Sequence, residues 1–93
     1  MSDESHDDKE LRVSFYGSLR SLAGTRTRSI RVPVSGDGRP TAGELRAQVA
    51  RELPALEPHL ATTAVAVGTR VVPDDTRLDP AAEISLLPPV SGG

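Results

Sequence analysis

Cysteine is missing from this 93-residue chain, and so is tryptophan. Without cysteine there is no disulfide, no thiol nucleophile and no thiolate metal site, a composition compatible with a reducing compartment. Phe15 and Tyr16 are the only aromatic residues, so the core has to be assembled from Leu, Val, Ile and Ala. No apolar run approaches membrane-spanning length, and the opening MSDESHDDKE is acidic where a secretory signal would be basic and then apolar. A soluble, cytoplasmic protein with no membrane partner is expected. Lysine is nearly absent as well: Lys9 stands alone against ten arginines.

Charge is unevenly spread. The first ten residues hold five acids against Lys9, whereas the rest of the chain holds eight acids and ten bases. Residues 1–10, with no large apolar side chain after Met1, are expected to be a disordered acidic leader. The slight basic excess of the remainder lacks interleaved aromatics, which argues against a nucleic-acid partner. Solvated strand and helix faces account for the arginines.

Residues 11–87 carry the pattern of one small α+β domain. Leu11 to Tyr16 alternates apolar and polar, as a half-buried strand does. Gly17 breaks the alternation, and Ser18 to Ala23 fits a short helical turn closed by Gly24. Ile30, Val32 and Val34 mark a second strand, which Pro33 confines to an edge or an end. Thr41 with Glu44 forms a capping box ahead of the apolar stripe Leu45, Val49, Leu53, and Pro54 stops that helix. Ala55 to His59 reads as an irregular connector. Ala64–Val67 and Arg70–Val72 flank Gly68-Thr69 as a short hairpin, and Ile84–Leu87 is a last strand halted by Pro88. The order β-β-α-β-β-β predicts a mixed sheet with one main helix packed across it, the ubiquitin-like β-grasp arrangement.

Chemistry concentrates at the end of the sequence. Residues 88–93, Pro-Pro-Val-Ser-Gly-Gly, form an extended tail that spans about 20 Å at roughly 3.3–3.6 Å per residue. The prolines fix φ, and Leu87 is held extended by Pro88. Gly92 and Gly93 carry no Cβ and fit a narrow channel. A carboxylate is a poor electrophile until it is activated, for instance as an acyl-adenylate. That makes Gly93 the candidate reacting residue. Elsewhere the sequence has no GxxxxGK[ST] and no GxGxxG, and His6 and His59 lack co-ligands for a metal. Asp74 and Asp75 sit in turn chemistry. No internal residue stands out as a catalyst, so the chain is expected to be worked upon by other proteins and not to be an enzyme.

These features resemble the MoaD/ThiS family of ubiquitin-like sulfur carriers, in particular the small subunits of molybdopterin synthase. The similarity runs over residues 11–93. It rests on Val13-Ser14-Phe15-Tyr16 followed by Leu19-Arg20-Ser21-Leu22-Ala23-Gly24, on Thr41-Ala42-Gly43-Glu44-Leu45, and on Leu86-Leu87-Pro88-Pro89-Val90-Ser91-Gly92-Gly93. The resemblance implies a β-grasp fold and an E1-like enzyme that uses ATP to adenylate Gly93. A thiocarboxylate then forms there, and its sulfur passes to the large subunit of molybdopterin synthase or another acceptor. It implies no permanently bound cofactor. Leu87, Pro88, Pro89, Val90, Ser91 and Gly92 would contact the partner. The chain is similar also to small archaeal ubiquitin-like modifiers, which implies an isopeptide from Gly93 to lysines of target proteins. Lys9 would then be the lysine through which chains of this protein are linked.

Overall fold

The computed structural model describes residues 8–34 and 38–89. Residues 35–37, residues 1–7 of the expected acidic leader, and Val90, Ser91, Gly92 and Gly93 of the expected tail lie outside the described residues.

β1 (Lys9–Phe15) turns Leu11, Val13 and Phe15 into the core and leaves Arg12 on the open face. It starts earlier than its apolar alternation. Lys9 and Glu10, which the composition assigns to the leader, pair with Val32 and Arg31. The backbone ladder does not depend on side-chain polarity, so pairing continues as long as the neighbouring strand offers partners. α1 (Ser18–Ala23) closes on Gly24, whose N–H donates to the Arg20 carbonyl at 2.9 Å. β2 (Thr27–Val32) begins ahead of Ile30 and ends before Pro33, so Val34 is not part of it.

α2 (Ala42–Glu52) starts at the expected capping box. The Glu44 N–H donates to Thr41 Oγ1 at 3.1 Å, and the Thr41 N–H donates to the Glu44 carboxylate at 2.8 Å. Such a cap is worth about 1 kcal/mol. Leu45 and Val49 are fully buried, and Leu53 forms the C-cap before Pro54. Gly43 has a use beyond its weak helix propensity. A Cβ there would lie 3.3 Å from Asp74 Cβ, and the Gly43 N–H donates to the Asp74 carbonyl at 2.9 Å. The glycine thus lets the turn at residues 73–76 close over the helix start.

The connector is more regular than the sequence suggests. Pro54–Thr62 forms successive 3₁₀ turns that bury Leu56 and Leu60. Pro58, inside the run, has no N–H for an α-type bond and its ring crowds the carbonyl four residues back, which disfavours a continuous α-helix there. β3 (Ala64–Val67) and β4 (Arg70–Val72) make the hairpin around Gly68-Thr69, and β5 (Ile84–Leu87) comes last.

The five strands lie in the order β2-β1-β5-β3-β4. β5 runs parallel to β1 and antiparallel to β3, which makes the sheet mixed. α2 and the 3₁₀ run cover one face, and the core between holds Phe15, Leu11, Ile30, Leu45, Leu56 and Leu86 among its members. Each such side chain contributes about 1.5–3 kcal/mol on full burial. The fold is the ubiquitin-like β-grasp arrangement. Its last strand occupies the middle of the sheet.

Candidate functional site: the root of the C-terminal tail

β5 is braced from both sides. Val13, Ser14 and Phe15 of β1 stand opposite Ile84, Ser85 and Leu86, while Ala64 and Val65 of β3 stand opposite Leu87 and Leu86. Ile84 and Leu86 point into the core and are fully buried. This is the hydrophobic run that precedes the prolines, and burial on one face fixes its register. A one-residue slip would carry both side chains to the open face.

Pro88 then ends the ladder, as it must without an N–H. Leu87 and Pro88 are half-buried and Pro89 is exposed, so the chain leaves the protein surface over these residues. The β1 side of the exit is fixed by one more hydrogen bond, from the Tyr16 N–H to the Leu86 carbonyl at 3.3 Å. The Pro88 ring sits beside Gly17. A shallow hollow lined by Ser14, Tyr16, Arg20, Arg26 and Thr27 opens at the same end of the sheet. Tyr16 is about half exposed there, at 46%. The arrangement holds Leu87, Pro88 and Pro89 at a fixed origin at the end of the central strand.

Of the residues expected at the site, Leu87, Pro88 and Pro89 come together at this exit. Lys9 does not join them. It opens β1, and the tail leaves beyond the other end of that strand, about 20 Å away at roughly 3.3 Å per residue. Among the described residues no group of His, Asp and Glu is arranged to hold a metal ion, and His59 is exposed. No helix among them is long and apolar enough to cross a membrane.

One structural residue escaped the sequence reading. Arg46, expected on a solvated helix face, is mostly buried. Its guanidinium donates to the carbonyls of Leu60 and Thr63 and forms a 2.9 Å ion pair with Asp74. It ties α2 to the end of the 3₁₀ run at the point where β3 begins, and β3 is one of the two strands that hold β5. Asp74 therefore serves this clamp and the turn, not a carboxylate pair with Asp75. The signal available in the sequence was only that residue 46 lies one position after the buried Leu45 on α2.

Comparison with known proteins agrees with this geometry. The ThiS family model matches residues 13–93. The structure of SAMP1 from Haloferax volcanii is similar, with a TM-score of 0.70 and 26% identity over 90% of this chain and 99% of that one. Similar too is the molybdopterin-converting factor of Helicobacter pylori, solved as a complex of its subunits 1 and 2, with a TM-score of 0.58 and 27% identity over 90% of this chain and 99% of the matched one. A putative molybdopterin converting factor subunit 1 from Pyrococcus furiosus shares the fold, with a TM-score of 0.70 and 18% identity over 88% of this chain and 99% of that one. With its model matched from the first core strand to the last glycine, the chain belongs to the ThiS family.

Proposed function

We propose that this protein is a sulfur carrier whose terminal Gly93 is adenylated by an E1-like enzyme at the expense of ATP and then converted to a thiocarboxylate. The sulfur is donated in molybdopterin biosynthesis, in the cytoplasm, to a synthase large subunit. The protein contributes no catalytic side chain and binds no permanent cofactor; it is the substrate that other proteins act upon. The observation that carries this reading is the origin of the tail: Pro88 comes directly after the central, doubly paired strand of the sheet. The two-subunit complex of the similar Helicobacter pylori factor supports a large-subunit partner.

Adenylation joins the Gly93 carboxylate oxygen to the α-phosphorus of ATP and releases pyrophosphate. Sulfur at the sulfide level (HS⁻ or its equivalent from a donor) then attacks the carbonyl carbon, AMP leaves with the adenylate oxygen, and the thiocarboxylate remains on Gly93. Both steps need Gly93 inside another protein's active site. Gly92 and Gly93 allow close backbone approach there, and Pro88 and Pro89 reduce the entropy lost on insertion.

A second reading has its own support in the similarity to SAMP1. There the activated Gly93 forms an isopeptide with lysines of target proteins, and Lys9 is the one lysine of this chain that could take part in chains. Mass spectrometry of protein recovered from its own host separates the two. The last tryptic cut within the sequence falls after Arg77, so the diagnostic peptide is Leu78–Gly93. A thiocarboxylate on that peptide is expected. The same peptide found as a branch on lysines of other proteins, with only carboxylate on the free chain, would make the protein a modifier first.

A further inference from the structure

Gly17 lies seventy-one residues before Pro88 in sequence and against it in space. It is the second residue of a tight turn: the Leu19 N–H donates to the Tyr16 carbonyl at 3.1 Å, and Gly17 has φ 59° and ψ −137°. A positive φ of this kind is a backbone conformation that favours glycine. The turn is held relative to β5 by the Tyr16 N–H bond to the Leu86 carbonyl, two residues before Pro88.

The space over Gly17 is filled by the tail root. A Cβ built on Gly17 falls 2.8 Å from Pro88 Cγ and 3.6 Å from Pro88 Cδ. Carbon atoms do not approach to 2.8 Å without one of them moving. The proline can withdraw Cγ only by changing its ring pucker, and the other partner is backbone held by two hydrogen bonds. Gly24 and Gly68 share the positive φ, at 77° and 61°, but a Cβ on either meets nothing within 4 Å. The requirement at position 17 is therefore steric as well as conformational.

We propose that Gly17 is the seat of the tail, a positioning residue whose missing side chain lets the Pro88 ring rest on the β1–α1 turn and so sets the direction in which the chain leaves the sheet. The inference rests on Gly93 being the reacting residue. Direction matters because the arm is a lever. A change of about 20° at Pro88 shifts the far end of a fully extended five-residue arm by about 6 Å. Misplacement of a reacting group by about 1 Å already costs on the order of a hundredfold in rate. Leu87 and Pro88 are each held extended by the next proline, so the change cannot be absorbed at those two residues.

The test is a mutant cycle read by ATP–pyrophosphate exchange with the adenylating enzyme of the same host. Gly17→Ala is expected to lower turnover at least tenfold while the KM for the carrier, set by docking of the folded body, stays within about twofold. Gly68→Ala also places a Cβ on a positive-φ backbone, without any clash, and is expected to leave turnover within about twofold. Pro88→Ala removes the ring atoms Cγ and Cδ. In that background Gly17→Ala should add only the smaller, conformational part of its loss, because the colliding atoms are gone. Equal losses from Gly17→Ala and Gly68→Ala, or an undiminished loss in the Pro88→Ala background, would overturn the seat. Should Gly17→Ala prove unfolded by circular dichroism, the Gly17→Ala/Pro88→Ala pair decides. Recovery of the fold and of exchange in the double variant supports the contact, and failure of both overturns it. A wild-type chain that supports no exchange would overturn the reading of Gly93 itself.

Discussion

β2 and β5 both run into a proline, Pro33 after Val32 and Pro88 after Leu87, yet β2 lies at the edge of the sheet and β5 at its centre. The same stop signal has different consequences in the two places. Among the described residues β2 is paired only with β1. β5 is paired on both sides, so its end cannot shift without breaking two ladders. A segment leaving such a strand has a fixed origin. Topology, and not the proline, fixes where the last six residues begin.

Substitutions can sharpen or break this contrast between braced centre and loose edge. Leu86→Ala, in the central strand and fully buried, should destabilise the fold by about 2–5 kcal/mol in urea unfolding. Arg46→Ala leaves the Leu60 and Thr63 carbonyls without their donor and loosens the start of β3. A loss of about 1–3 kcal/mol is expected by the same measurement. Thr41→Ala removes the helix cap, remote from β5, and should cost about 1 kcal/mol without changing the tail's reactivity. Val71→Thr, on the exposed edge strand β4, should stay within about 0.5 kcal/mol of the parent. If Val71→Thr proved as costly as Leu86→Ala, centre and edge would not differ in the way described.

Local signals were readable where they act over a few residues. The Thr41–Glu44 box, the Gly68-Thr69 hairpin and the halt at Pro88 each arise from backbone chemistry within one turn or one strand. The β-grasp order emerged from the sequence of those elements. Contacts between distant segments were not readable. Nothing near Arg46 announces the carbonyls of Leu60 and Thr63, and nothing near Gly17 announces Pro88. Gly17 looked like a simple strand breaker and Gly43 like a weak point in a helix, because the neighbour that needs the absent Cβ arrives from far along the chain. The start of β1 was missed for a related reason. Lys9 and Glu10 look like leader by composition, but their backbone finds partners in β2.

The central claim is that the folded body serves as a base and Gly93 does the reacting. Pyrophosphate release from ATP, measured with the host's adenylating enzyme for the intact chain and for the chain lacking Gly93, tests it most directly. The account predicts release with the intact chain and none above background with the shortened one, while both unfold at the same urea concentration. Equal release from the two would show that the terminal glycine is not the reacting residue.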